Sequence, residues 1–243
     1  MNNKIKKILR FIFLKLPAWF IIFSIAWVLL LKWVPIFITP LMISRSIEHI
    51  DDKSFKTHKH WVSFEKISPE MSRAVIASED DLFAKHNGFN YDAIKKAWKN
   101  NQKGKRLRGG STISQQTAKN VFCTNSRTWI RKGFETYFTV LIELIWGKKR
   151  ILEVYLNVIE MGRGIYGVES AAQELFHKPA KLLTRRECCL LAACLPNPMK
   201  RNAARPSNYT ASRAAFIARL EYNISYPEWI YHKKNTANKK KVR

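Results

Sequence analysis

A chain of 243 residues with 47% hydrophobic and 12% aromatic side chains can bury a core, which excludes a disordered polymer except at the ends. A net charge of +25 excludes a neutral surface and calls for an anionic partner, either nucleic acid or a membrane. Cys123, Cys188, Cys189 and Cys194 match no zinc or redox spacing, and no histidine stands at ligand spacing beside them, so they read as small buried residues.

Residues 1–10 are a basic tail carrying Lys4, Lys6, Lys7 and Arg10. From Phe11 to Leu31 the chain is apolar except for Lys15 and Ser24. A helix of that length rises roughly 31 Å, about one hydrocarbon core. Lys15 and Lys32 can snorkel to the two interfaces. Cations crowd the N-terminal flank, and only Lys32 and Arg45 follow closely, so the N-terminus is expected in the cytoplasm and the rest outside. The run is long for a cleavable signal peptide, and no small-x-small cleavage site follows it. A domain on the outer face meets no nucleic acid. Its basic surface suits anionic headgroups or a phosphorylated lipid instead.

Residues 32–60 are expected to be an interfacial linker, because Trp33 to Ile43 is too short and too proline-broken to span. Residues 61–232 read as one mostly α domain, and 233–243 as a solvated basic tail. Helical spacing predicts elements after Ser68-Pro69 through Ala77, over Asp92–Asn101, Thr112–Val121, Arg131–Trp146, Lys149–Glu160, Ser170–Phe176, Thr184–Leu195 and Ser207–Glu221. Strand alternation is scarce.

Three places carry candidate chemistry. Glu79-Asp80 closes an apolar helix, where a carboxylate can be held half-desolvated in the manner of a general base; the plainer reading is an acidic pair on a solvated helix end. Arg108 to Asn120 packs hydroxyls, amides and cations behind Gly109-Gly110, which suits an anionic, hydroxyl-rich ligand; the plainer reading is Ser111 as an N-cap with a polar helix behind it. Arg131-Lys132-Gly-Phe-Glu135 is either a surface i,i+4 ion pair or a carboxylate and two cations converging on a phosphate or metal ion. Gly162 to Gly167 fits the dinucleotide fingerprint formally but lacks a βαβ unit. Ser63-Phe-Glu-Lys66 fits a penicillin-target motif but lacks its Lys-Thr-Gly partner.

The order of the motifs is more specific than any one of them. Glu79-Asp-Asp-Leu-Phe83-Ala-Lys-His86, Gly109 to Asn120, Arg131 to Glu135, Arg150-Ile-Leu-Glu153 to Asn157 with Gly162 to Ala172, and Leu190 to Pro198 follow one another as in the peptidoglycan glycosyltransferases of family 51, which the chain resembles from about Trp61 to Pro198. Asn90, where an Asp is common, is a small departure. The resemblance implies a lysozyme-like α fold beside the inner membrane, polymerising lipid II into β-1,4 glycan strands. It implies Glu79 as general base toward the acceptor hydroxyl and Glu135 as a second essential carboxylate near the donor pyrophosphate. Asp80, Phe83 and His86 would support the first site, and Ser111, Thr112, Gln116, Lys119, Asn120, Arg131 and Lys132 the donor site. No cofactor is fixed by it; Mg2+ or Mn2+ at the pyrophosphate is compatible. Lipid II, the growing strand, membrane lipid, and cell-wall synthesis and division proteins are the partners implied. The competing readings are a glycan-cleaving enzyme on the same fold and a non-catalytic cell-wall scaffold.

Overall fold

The computed structural model describes residues 11–92, 94–95, 110–126 and 128–231. A π-helical turn, Phe11–Lys15, leads into α1, Leu16–Leu31, with Pro17 in its first turn, where a missing N–H costs nothing. The stretch Phe13–Leu31 is long and apolar enough to cross a membrane, and most of its side chains are exposed. Then come α2 (Pro40–Glu48), α3 (Pro69–Glu79), α4 (Ile113–Phe122), α5 (Trp129–Ile145), α6 (Gly147–Val158), α7 (Val168–Phe176), α8 (Arg185–Cys194) and α9 (Asn208–Leu220). The chain is mostly helical, as its periodicity predicts. Of the helix expected over Asp92–Asn101, only Asp92, Ile94 and Lys95 are described, and they are helical. The rest lies outside the described residues, as do Arg108, Gly109 and both basic tails.

The core centres on α6 and α8, whose residues Val154–Val158 and Cys188–Cys194 are buried without a break. A helix apolar all round belongs in an interior. α8 packs on α3 and α9, and α4 packs on α5 and α6. All four cysteines are free and buried, and burial pushes the Cys189 thiol up to about 12. They act as small core residues.

The apolar helix is docked on the domain by its less exposed face. The Ser24 and Tyr137 hydroxyls hydrogen-bond at 2.6 Å, and Trp146 Nε1 donates to the Val28 carbonyl at 2.7 Å. Arg150 Nη2 donates to the Leu31 carbonyl at 2.9 Å, meeting an orphan group of the last turn. Phe20 packs against Phe134 and Tyr137 of α5.

Three short strands, β1 (His58–Lys59), β2 (Glu160–Gly162) and β3 (Ile165–Tyr166), form a sheet in the order β1-β3-β2. The Gly162–Gly167 stretch is therefore a hairpin, not a phosphate loop. Gly167, at φ 82°, passes so close to α6 that a Cβ would lie 2.5 Å from the Asn157 carbonyl oxygen. The helix expected to run to Glu160 ends at Val158 because Ile159 turns extended and delivers Glu160 to β2. The helix expected from Arg131 begins at Trp129, since the Thr128 hydroxyl accepts from the Arg131 N–H. Ser63-x-x-Lys66 is only the start of a 3-10 turn, Phe64–Lys66.

Residues 32–60 do more than link. The Thr39 side chain caps α2 by accepting from the Met42 N–H at 3.3 Å, and α2 packs on α4. Leu41 and Met42 are buried, while Ile43 and Ile47 on the outer face are exposed.

Candidate active site

α3 delivers Glu79 and stops. Asp80 leaves helical geometry, and its carboxylate, 5% exposed, turns inward. It accepts from His86 Nε2 at 2.8 Å and from the Ile113 N–H at 3.0 Å. A carboxylate on the first turn of α4 is favoured by the helix dipole and by the unpaired N–H groups there. The Gly88 N–H donates to His86 Nδ1, which leaves Nε2 as the proton-bearing nitrogen facing Asp80. Gly88 sits at φ 90°, and a Cβ there would meet Thr139 Cγ2 at 2.9 Å. Its carbonyl accepts from the Thr112 hydroxyl at 2.6 Å. Phe83 is fully buried, with the Lys148 ammonium 4.7 Å from its ring centre.

The N-cap of α4 is Thr112, not Ser111. Thr112 Oγ1 accepts from the Gln115 N–H, and Gln115 Oε1 accepts from the Thr112 N–H, closing a capping box. Ser111 is left exposed. One turn on, Gln116 joins the two halves of the site. Its Nε2 donates to Glu79 Oε2 at 3.0 Å, and its Oε1 accepts from the Tyr155 hydroxyl at 3.2 Å. Glu79 Oε1 takes the Ser78 hydroxyl at 3.3 Å.

Beyond Gln116 opens a cavity of about 450 Å³. Lys119, Asn120 and Arg131 line it, with Arg45, Asn125, Ser126, Glu160 and Leu195 around them. Glu135 lies on α5, 3% exposed, and takes Arg131 on Oε2 at 2.6 Å and Lys132 on Oε1. This is no surface ion pair: the carboxylate is enclosed and serves two cations. Burial first, then repulsion from Arg131, holds the Lys119 ammonium below the usual lysine range. Among the described residues the Lys119 ammonium has no hydrogen-bond acceptor and no ion-pair partner. Asn120 Nδ2, Arg131 Nε and Arg45 Nε are buried without hydrogen-bond acceptors. Buried donors in that state cost free energy until an acceptor arrives.

The structure thus brings Gln116, Lys119, Asn120 and Arg131 to one cavity and joins Glu79 to it through Gln116. Asp80, Phe83 and Thr112 are turned inward and hold the frame around Glu79 and the start of α4. The Arg150–Asn157 motif is also frame: Glu153 accepts from the Phe64 N–H at 3.0 Å, and Asn157 exchanges hydrogen bonds with both backbone groups of Val62. The motifs missed Arg45, Asn125 and Glu160. Arg45 left one trace in the sequence, as one of the few cations just after the apolar run. Among the described residues no group of three His, Cys, Asp or Glu could hold a metal ion. Both Glu135 oxygens already face cations, so the described side chains do not build a cage for Mg2+ or Mn2+.

The family model described as Transglycosylase matches residues 44–221, a span that contains both Glu79 and the cation-lined cavity, and the chain belongs to this family. Among its relatives, the biosynthetic peptidoglycan transglycosylase of Bacteroides thetaiotaomicron is 50% identical over 242 residues, 98% of this chain and 97% of the relative. The protein of that name from Bdellovibrio bacteriovorus is 51% identical over 80% of this chain and 78% of its own length. That from Caulobacter vibrioides is 44% identical over 90% of this chain and 93% of its own length.

Proposed function

We infer that the chain works as its relatives' name describes, as a peptidoglycan glycosyltransferase of cell-wall synthesis, and that it polymerises lipid II. The observation that carries the mechanism is the pairing of Glu79, through Gln116, with a cavity whose buried donors await an acceptor. Glu79 takes the proton of the acceptor sugar's 4-hydroxyl as that oxygen attacks C1 of the donor. The C1–oxygen bond breaks with inversion, a β-1,4 link forms, and undecaprenyl pyrophosphate leaves. Lys119 and Arg131 neutralise the leaving anion, and Asn120 donates to it. Glu135 keeps the Arg131 and Lys132 charges in place. Pyrophosphate is stable as an anion, so cations suffice where a poorer leaving group would need an acid.

The proposed setting is a bacterial inner membrane, crossed once with the N-terminus in the cytoplasm. Support comes from the apolar helix and from exposed Trp33, Phe37, Ile38, Ile43, Ile47, Ile50, Trp129 and Ile130 on the segments beside it. Such side chains seat a domain at the headgroup boundary, where a lipid-linked donor is delivered. Full-length protein given fluorescent lipid II is expected to build glycan strands, and Glu79→Gln to build none while keeping its melting temperature. Polymerisation at the wild-type rate by Glu79→Gln would remove the assignment.

A further inference from the structure

Arg45 belongs to none of the ordered motifs. It comes from α2, the first helix after the apolar span, yet it lines the same cavity as Lys119, Asn120 and Arg131. Two devices hold it there. Its Nη1 donates to Glu48 Oε2 at 2.8 Å, and Glu48 Oε1 accepts from Asn125 Nδ2 at 3.0 Å, which latches α2 to the α4–α5 connection. Beside it Glu160 Oε2 stands 3.6 Å from Arg45 Nε, an ion pair too long for a hydrogen bond.

Glu160 is 4% exposed and receives little in return for its burial, a single 3.3 Å hydrogen bond from the Gly164 N–H on Oε1. Burial pushes its carboxyl up. The tyrosine beside it in the sheet, Tyr166, has its hydroxyl buried without a partner. Neither group serves the sugar-transfer step as described above. Arg45 also adds, after burial and Arg131, to the repulsion that lowers the Lys119 ammonium, which Glu135 partly offsets by attraction. Three cations therefore converge on one cavity from three separate helices, α2, α4 and α5. Two of them, Arg45 and Arg131, keep a buried Nε without an acceptor.

We propose that Arg45 is a further donor-binding residue, whose guanidinium takes a pyrophosphate oxygen alongside Lys119 and Arg131, with Glu160 as the positioning residue that aims it. The assignment rests on the reading of the cavity as the donor site. Its logic is geometric. Lys119 and Arg131 approach the cavity from the domain, whereas Arg45 approaches from the helix whose outer face, Ile43 and Ile47, is exposed and apolar. The segment that would rest on the membrane thus supplies one of the charges for a headgroup drawn from it. A guanidinium suits this place because its fixed fork can hold Glu48 with one edge and present another to phosphate.

The test uses the full-length chain in proteoliposomes, with initial rates measured against lipid II concentration. Arg45→Gln is expected to raise KM about tenfold with kcat within about threefold, the scale of one charge-assisted hydrogen bond. Arg45→Lys keeps the charge and is expected to recover part of that loss. Glu160→Gln is expected to raise KM by about threefold and to leave the melting temperature near wild type. Wild-type KM in both Arg45→Gln and Arg45→Lys overturns the proposal. So does a fall in kcat with unchanged KM, which a purely structural role would give. If Arg45→Gln does not fold, the KM of Arg45→Lys decides. A dead Glu79→Gln beside a wild-type KM in the Arg45 variants would refute only Arg45; an active Glu79→Gln would refute the polymerase reading beneath it.

Discussion

The two ends of the site differ in how they spend their polar atoms. Around Asp80 the chain satisfies itself: Asp80, His86, Gly88, Thr112 and Gln115 donate and accept among themselves, and Gln116 ties Glu79 to Tyr155. Around Lys119 the chain leaves itself unsatisfied, with like charges converging and Arg45 Nε, Asn120 Nδ2 and Arg131 Nε buried without acceptors. A satisfied network fixes geometry and adds stability. An unsatisfied one lowers stability and is kept where a ligand completes it. On the proposed function, the contrast separates residues that hold the site from residues that bind.

That contrast can be broken by experiment. The largest expected effect is Glu79→Gln, a loss on the order of a thousandfold in polymerisation, within the usual range for a general base, with folding unchanged. Next is Glu135→Ala, which strands Arg131 and Lys132 beside an enclosed site. It is expected to lower the unfolding free energy by about 3 kcal/mol in chemical denaturation and polymerisation by on the order of a hundredfold. Lys119→Met should show the opposite sign on folding. It removes a desolvated, repelled ammonium, so the free protein is expected to melt higher while KM for lipid II rises about tenfold. A Lys119→Met protein less stable than wild type would mean that Lys119 is frame. Thr112→Ala removes a cap and is expected to cost about 1 kcal/mol of stability, with KM within about twofold.

The last expected effect falls on stability rather than on polymerisation, and concerns pH. Burial lowers the Lys59 ammonium to about 7 from the ordinary 10.5. Between those values the unfolded chain still holds a proton that the native chain has released, so native stability rises with pH through that window and levels off below it. Lys59→Met should flatten the slope of unfolding free energy from pH 7 to pH 10. An unchanged slope would show that Lys59 stays charged in the fold.

Much of the frame was legible in the sequence because helices and their caps are local. The apolar run, the turn after Ser68-Pro69, and the polar run of α4 follow from spacing alone. Residue type favours Ser111 as the cap, but the Thr112-x-x-Gln115 spacing is the capping box, and it decides the start of α4. The end of α6 falls short of its hydrophobic periodicity, which continues through Ile159 while the backbone turns extended. By spacing alone Glu135 reads first as half of a surface pair, because i,i+4 spacing says nothing about what covers a helix. Arg45 and Glu160 were not legible as a site at all. They are 115 residues apart, meet only because α2 and β2 border one cavity, and carry no motif. Sequence order displays the candidate carboxylates; three-dimensional packing displays which buried donor atoms are left without acceptors.

The central claim is that the base and the binding cavity are separate parts of one site. It is tested most directly by the equilibrium affinity for lipid II of wild-type-like Glu79→Gln protein and of Glu79→Gln combined with Lys119→Ala, both in the same membrane mimetic. The account predicts that the Glu79→Gln protein binds lipid II but does not polymerise it, and that adding Lys119→Ala weakens binding about tenfold. Equal affinity in the two proteins would contradict it.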